Sequence, residues 1–224
     1  MLSDNINLIK NDINQACKNA CRNPDEIILM GASKSQTVEQ IEQAYDSGVF
    51  HFGENYLQEA ETKISKIDKN IVWHFIGSIQ TRKTKKIARL FDWVHTIDSL
   101  KIAEKLNEAR PSSREPLNIC LQVNIDNEET KSGILKEEID DFLTNLTALK
   151  NIKTRGLMII PKPRDTAEEQ KEIFSDLRLK LDSLKSRFPE LDTLSMGMSS
   201  DYLAAIEEGA TILRIGTGIF GARK

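Results

Sequence analysis

The feature that most limits the fold of this chain is the repeated alternation of short β-rich runs with amphipathic helical segments. From Glu26 onward each unit is about 20–30 residues long, with apolar runs such as Ile71–Ile76 and Leu117–Asn124 followed by segments of helical spacing. We count about eight such units, with no Pro- or Ser-rich linker between them. Alternation of this kind predicts a parallel sheet, and a count near eight favours a closed (β/α)8 barrel.

An additional helix precedes the first strand. Ile6, Ile9, Ile13 and Cys17 recur at helical spacing, so residues 3–21 are predicted to form an amphipathic helix. The chain has 224 residues, which is at the compact end for a barrel and leaves no room for a second domain. We therefore expect an α/β fold with one barrel domain over residues 1–224.

Composition excludes several classes of protein. A formal net charge of −3 gives no general attraction to nucleic acid or to an anionic membrane. No apolar run approaches the ~18 residues of a membrane span, and the first residues lack the basic start and apolar stretch of a secretory signal. The three cysteines form no CxxC pair, as is usual in a reducing compartment. We expect a cytoplasmic protein.

The carboxyl ends of the strands identify the candidate functional positions. In a (β/α)8 barrel these ends and the loops after them form the active face. The positions are Lys34, Asn55, His74, Thr96, Asn124, Met158, Ser195 and Arg214, with Ser199, Ser200, Gly216 and Thr217 in the loops. The three histidines of the chain lack the spacing of zinc ligands, so no metal site is expected.

Two of these strand ends carry complementary chemistry. Lys34 follows the small residues Gly31–Ser33, which would leave room for a ligand, and its amine can form a Schiff base with an aldehyde. The last strand ends in Arg214–Thr217, whose Gly-Thr turn suits a phosphate, and Ser199 lies in a similar turn after the preceding strand. An aldehyde and a phosphate on one small molecule describe pyridoxal 5'-phosphate (PLP). Each motif alone would also fit a surface lysine or an ordinary turn.

Two groups of charged residues have simpler interpretations. Five basic residues between positions 82 and 89 would form a solvated helix face, with contact to an anion or nucleic acid as the less favoured alternative. Glu54 and Glu59 flank a predicted helix start, where carboxylates interact favourably with the helix dipole and need no further role.

The ordered motifs of the chain resemble those of the pyridoxal phosphate homeostasis proteins, the YggS/PROSC-like family of single-domain PLP carriers. The similarity extends nearly from end to end. The motifs that carry it are Ala32–Lys34, Phe52–Glu59, Trp73–Gly77, Lys131–Gly133, Arg155–Met158, Leu194–Ser199, Arg214–Thr217 and Ile219–Arg223.

This resemblance implies an alanine-racemase-like (β/α)8 barrel that holds PLP as a Schiff base on Lys34. The cofactor-binding residues that it implies are Lys34, Asn55, Ser199, Arg214, Gly216 and Thr217. Within this set Arg214 would face the pyridine nitrogen, and the serine, glycine and threonine would surround the phosphate.

The same resemblance bears on catalysis. PLP chemistry at an α-carbon needs an electron sink and a second acid–base group, and an arginine at the ring nitrogen opposes its protonation. Racemases of this fold are implied to take a tyrosine from an added β-domain of a second subunit. Here the chain ends just after the barrel, and Tyr45, Tyr56 and Tyr202 fall in predicted helices.

We therefore expect a PLP carrier that takes part in vitamin B6 and amino-acid homeostasis, without strong catalytic activity. The alternatives are a weak PLP-dependent amino-acid racemase or other PLP enzyme, and a Schiff-base aldolase without PLP. The expected partners are PLP itself and PLP-dependent apoenzymes or enzymes of vitamin B6 metabolism. Neither a membrane nor nucleic acid is expected as a partner, and the molecule is expected to be a monomer or weak dimer.

Overall fold

The computed structural model describes residues 1–128 and 131–222, and it confirms the predicted closed barrel. The eight strands are parallel, each pairs with its neighbours in the chain, and the last pairs with the first. The strands are β1 (Ile28–Ala32), β2 (His51–Glu54), β3 (Val72–Phe75), β4 (Trp93–Ile97), β5 (Leu117–Gln122), β6 (Ile152–Met158), β7 (Thr193–Ser195) and β8 (Ile212–Ile215). Arg223, the last residue of the C-terminal motif, lies outside the described residues.

Helices alternate with the strands as predicted, and the first of them precedes the barrel. They are α1 (Leu2–Asn19), α2 (Val38–Asp46), α3 (Leu57–Ile64), α4 (Thr84–Leu90), α5 (Leu100–Ala109), α6 (Ile139–Leu146), α7 (Ala167–Leu184), α8 (Tyr202–Glu207) and α9 (Thr217–Phe220). Short 3-10 turns cover Pro24–Glu26, Thr81–Lys83 and Lys136–Glu138. In the part of the chain that the structure describes, none of the helices combines the length and apolarity needed to cross a bilayer.

The start and end of α2 follow from local hydrogen bonding. The Thr37 hydroxyl accepts from the Gln40 backbone N–H at 3.3 Å, and the Gln40 side chain accepts from the Thr37 N–H at 2.9 Å. This capping box, which the sequence predicts, satisfies two donors that a helix start leaves free. Gly48 has φ = +84° just after the helix, a conformation that glycine adopts without steric cost. The N-cap of α2 therefore lies only three residues after Lys34.

Buried apolar side chains form two separate cores. The larger lies between the barrel and the surrounding helices and includes Ile6 of α1 and Phe174 of α7, which are fully buried. The smaller consists of side chains from five strands that meet inside the barrel: Met30, Trp93, Cys120, Met158 and Ile212. The remaining interior space is occupied by polar side chains, which belong to the candidate site.

Candidate functional site

Lys34 lies two residues beyond the end of β1, at the carboxyl end of the barrel. The Ser33 N–H donates to the Gly53 carbonyl at 2.9 Å, so pairing with β2 continues past the strand. Lys34 itself begins a turn, in which the Gln36 N–H donates to the Ser33 carbonyl at 3.0 Å. Its side chain is half-buried and makes no hydrogen bond or ion pair within residues 1–128 and 131–222.

Two of the three small residues before Lys34, Gly31 and Ser33, do not leave the open space that the sequence suggested. A Cβ atom added at Gly31 would lie 3.2 Å from the Phe52 ring, so that ring already fills this side of the strand. Ser33 is fully buried, and its hydroxyl donates to Glu54 Oε1 at 2.6 Å. The expectation fails at these two positions because the alternation of side chains along the strand turns both toward the helical layer.

Lys63 and Glu59 of α3 bind the backbone on the two sides of the candidate lysine. Lys63 Nζ donates to the Ser33 carbonyl at 2.7 Å and to Glu54 Oε1 at 2.8 Å. It also contacts Glu59 Oε1 at 2.5 Å, and that carboxylate accepts from the Ser35 N–H at 2.6 Å. Ser35 has φ = +64°, an uncommon conformation for a residue with a side chain, and these contacts hold it there.

The interpretation of Glu54 as a helix-dipole residue is wrong. Glu54 ends β2 and is fully buried, with Lys63 beside it at 4% exposure. Burial raises the pKa of the Glu54 carboxyl, although the hydrogen bonds from Lys63 and Ser33 oppose that rise. Its second oxygen has no hydrogen-bond partner in the described part of the chain. Only the lysine nine residues later could have signalled this ion pair in the sequence.

A chain of hydrogen-bonded side chains crosses the interior of the barrel. His51 Nδ1 lies 2.9 Å from His74 Nε2, and His74 Nδ1 lies 2.8 Å from His95 Nε2. His95 Nδ1 is 2.7 Å from Ser195 Oγ, which accepts from Arg214 Nη1 at 2.8 Å. Sequence reasoning missed this chain because its members lie on five strands, and His95 and Ser195 are 100 residues apart.

Burial keeps the interior histidines uncharged. Burial, together with a smaller effect of the nearby Arg214 cation, lowers the pKa of His95 to about 3. It also moves the pKa of His74 well below its ordinary value. Burial lowers the pKa of Arg214 to about 10, so the guanidinium still carries its charge at neutral pH.

Arg214 is a buried cation without a carboxylate partner. It is 5% exposed, and no acidic side chain among the described residues lies within ion-pair distance of it. Its Nη2 donates to the Ile159 carbonyl at 2.7 Å, in addition to the Ser195 contact. A guanidinium has five N–H donors, so the protein leaves some of them available to a ligand.

The turns after β7 and β8 present several free backbone donors. Ser199 Oγ accepts from the Gly218 N–H at 3.1 Å, which joins the two turns. The N–H groups of Ser199, Ser200, Gly216 and Thr217 have no acceptor within the described residues. A Cβ atom added at Gly216 would meet nothing closer than 3.7 Å, so there is room above the turn. Converging N–H groups of this kind suit an anion.

Asn55 lies at the edge of a cavity of about 350 Å³ at the same end of the barrel. Its Oδ1 is buried without a hydrogen-bond partner in the described structure. Thr96 and Asn124 also line this cavity, but both side chains already bond to protein carbonyl groups. The remaining predicted strand-end residues, His74, Met158 and Ser195, lie in the barrel interior.

Comparison with known proteins finds relatives that match nearly the whole length of this chain. The family model for the N-terminal domain of alanine racemase matches residues 8–224. The pyridoxal phosphate homeostasis protein of Haemophilus influenzae is 44% identical, with 99% of this chain and 96% of the relative covered. The protein of the same name from Escherichia coli K12 is 42% identical, with coverage of 99% and 97%.

Solved structures show the same similarity. PipY of Synechococcus elongatus with PLP bound superposes with a TM-score of 0.86 at 31% identity, covering 99% of this chain and 100% of PipY. An alanine racemase of Clostridium difficile superposes with a TM-score of 0.77 at 16% identity, covering 98% of this chain and 60% of the racemase. The second similarity concerns the fold alone.

The buried ion pair beneath the lysine segment leads to a stability prediction. Lys63→Met should lower the free energy of unfolding by about 3–5 kcal/mol, because it leaves the Glu54 carboxylate buried without its cation. Lys86→Met is the matched control, since Lys86 pairs with Glu61 at the same 2.8 Å distance but is 62% exposed. That change should cost less than about 1 kcal/mol in urea denaturation. Equal losses would show that burial does not distinguish the two pairs.

The low pKa of His95 predicts how stability depends on pH. Below about pH 6.5 the unfolded chain protonates this histidine, whereas the folded protein does so only near its pKa of about 3. The free energy of unfolding should therefore fall as the pH decreases through this window, by up to about 1.4 kcal/mol per pH unit for this residue.

The measurement is urea denaturation of wild type and His95→Asn between pH 6.5 and 4.5. The variant should show a shallower pH slope, and His51→Asn should reduce the slope less because His51 is only half-buried. An unchanged slope in His95→Asn would contradict the assignment of a neutral, buried His95.

Proposed function

Because this chain belongs to the pyridoxal phosphate homeostasis protein family, we propose that it binds PLP and carries it as a Schiff base on Lys34. The cofactor would occupy the carboxyl mouth of the barrel, and residues 1–224 would act as one PLP-binding domain. The observation that supports this best is that a lysine without hydrogen bonds in the described structure follows the strand next to the one that carries a buried arginine without an ion pair there.

The strand register supports a ring bound between these two residues. β1 pairs with β8 so that Met30 lies opposite Arg214, and Lys34 is four residues further toward the mouth. Four residues of extended chain span at most about 13 Å, and a ring bound between the two side chains would lie within that distance. PLP carries its aldehyde carbon opposite its ring nitrogen, so the lysine can reach the aldehyde while Arg214 donates to the nitrogen. The ring nitrogen then supplies the acceptor that the buried guanidinium lacks.

The remaining polar groups fit the rest of the cofactor. The free N–H groups of Ser199, Gly216 and Thr217, with the threonine hydroxyl, would donate to phosphate oxygens. The Asn55 side chain donates from Nδ2 to the Ile76 carbonyl at 3.5 Å, but its Oδ1 is buried at the adjoining cavity without a hydrogen-bond partner among the described residues. We assign it to the same pocket, where a polar atom of the cofactor would satisfy it.

We propose a carrier role without strong catalytic activity. PLP assists reactions at an amino acid's α-carbon by withdrawing electrons, most strongly when its ring nitrogen is protonated. Arg214 opposes that protonation by its own charge. Tyr202 is not a free acid–base group, since its hydroxyl donates to Asp12 at 2.6 Å. Alanine racemisation at ordinary enzyme rates of about 1–10³ s⁻¹ would replace this proposal with the racemase alternative.

The cellular role follows from the same assignment. A protein that holds PLP reversibly through an imine can buffer this reactive aldehyde and pass it to other proteins. We propose that it contributes in this way to vitamin B6 and amino-acid homeostasis in the cytoplasm. PLP-dependent apoenzymes or enzymes of vitamin B6 metabolism would be its partners.

Lys34→Ala should abolish the yellow absorbance of the PLP-loaded protein, because no other amine would be placed to form the imine. Borohydride reduction of the loaded wild type, followed by peptide mass mapping, should locate the adduct on Lys34. Lys162→Ala, which changes an exposed lysine at the same end of the barrel, should leave colour and adduct intact. An adduct on a different lysine would refute the assignment.

Thr217→Val should weaken PLP binding by about tenfold, the effect expected for loss of one hydrogen bond to a charged group. Pyridoxal, which has the aldehyde but no phosphate, should bind wild type and variant equally well. Equilibrium titration followed by absorbance measures both affinities. If the variant loses affinity for PLP and pyridoxal to the same extent, the phosphate is not bound at this turn.

A further inference from the structure

We propose that four side chains inside the barrel are positioning residues that hold the Arg214 guanidinium as a fixed donor toward the carboxyl mouth. These interior positioning residues are His51, His74, His95 and Ser195, and they form the continuous hydrogen-bonded chain that ends on Arg214. The inference rests on the proposed function only for the identity of the acceptor that Arg214 meets.

The direction of hydrogen bonding along this chain is set at its Arg214 end. A guanidinium can only donate, so Ser195 Oγ accepts from it and keeps its own hydroxyl hydrogen to donate. His95 Nδ1, at 2.7 Å, is the other described partner of that hydroxyl. The reverse direction would leave a fully buried hydroxyl hydrogen without an acceptor, at a cost of about 1–3 kcal/mol.

The same constraint passes from ring to ring. Because His95 accepts at Nδ1, a neutral ring carries its hydrogen on Nε2 and donates it to His74 Nδ1. His74 then donates from its own Nε2 to His51 Nδ1. All three histidines are therefore neutral Nε2–H tautomers, in agreement with the lowered pKa values of these rings. The free Nε2–H of His51 is left at the amino end of the barrel, where His51 lines a cavity of about 350 Å³.

This arrangement fixes the orientation of the arginine. Ser195 Oγ and the Ile159 carbonyl each engage a different terminal nitrogen of Arg214. Two anchors on a planar group prevent its rotation, and the remaining N–H groups then keep one direction. Because the serine hydroxyl hydrogen is directed to His95, a lone pair of Oγ stays directed to Arg214, so the histidine rings help to fix the orientation of this anchor.

The test uses the fact that the chain contains only three histidines, all of them in this network. Untagged full-length protein with ¹⁵N-labelled histidine, free of PLP, would be studied by two-dimensional ¹H–¹⁵N NMR at pH 7. We expect three neutral rings, each protonated on Nε2 and unprotonated on Nδ1. A ring protonated on Nδ1, alone or in addition to Nε2, would overturn the proposed direction.

One substitution should reverse the whole chain. In Ser195→Asp a carboxylate would accept from both Arg214 and His95, so His95 must carry its hydrogen on Nδ1. His74 and His51 should follow, and all three rings should become Nδ1–H tautomers. If Ser195 served packing alone, its replacement would not change the tautomer of His51, which lies at the opposite end of the hydrogen-bonded series. A folded variant in which His95 keeps an unprotonated Nδ1 would refute the mechanism, and the wild-type pattern tests it even if this variant does not fold.

The link to the cofactor has a separate readout. Ser195→Ala removes one anchor of Arg214 and should raise the dissociation rate of PLP about tenfold, while Ser195→Thr, which keeps a hydroxyl, should restore the slower rate. Equal rates in wild type and Ser195→Ala would refute the positioning role. Absence of PLP binding to wild type would refute the proposed function instead, and the tautomers of the free protein would still stand.

Discussion

A buried guanidinium without a carboxylate partner sets the requirements for the rest of the barrel interior. A buried charge normally has an ionic partner, because desolvation costs several kcal/mol per ion. Arg214 instead donates to a serine hydroxyl and a backbone carbonyl, and the Asp201 carboxylate attracts it from beyond ion-pair distance. The interior must therefore supply oriented dipoles on one side of the guanidinium. On its other side there must be room for the hydrogen-bond acceptor of a ligand. The neutral histidines meet the first requirement, and a ring nitrogen of a bound cofactor would meet the second.

Closure of the barrel makes this arrangement possible. The interior chain joins residues from β2, β3, β4, β7 and β8, which come together only because the sheet closes between β8 and β1. The same closure places Lys34 beside the strand that carries Arg214. Outside the barrel, the buried pair of Glu54 and Lys63 holds the segment that contains the lysine. Interior side chains thus fix Arg214 on one side of the site, and the helical layer fixes the Lys34 segment on the other.

The fold could be predicted from the sequence, and the sequence also identified chemically distinctive candidates at two strand ends. The β/α alternation gave the strand count, and the Thr37 capping box located the start of α2. The residue types at Lys34 and Arg214 suggested their chemistry because few other side chains can form an imine or remain charged when buried. Short α9 was not predicted, because its four residues carry no periodicity.

The remaining features depend on contacts that local patterns do not encode. The three histidines lack the spacing of a metal site, and their partners are other strands rather than neighbours in the chain. Glu54 has the sequence context of a surface residue, yet α3 covers it completely. In both cases burial decides the role of a polar residue, and burial results from the packing of distant elements.

The proposed role of Arg214 depends most directly on the protonation state of the cofactor's ring nitrogen when the protein carries PLP. Nitrogen-15 NMR of the protein carrying PLP labelled at the ring nitrogen measures this state at pH 7. If the guanidinium of Arg214 donates to that atom, the nitrogen must be an acceptor, and its signal should be that of an unprotonated, hydrogen-bonded pyridine. Arg214→Met should then shift the signal toward that of a pyridine without this hydrogen bond. A protonated pyridinium in the wild-type protein would contradict the account.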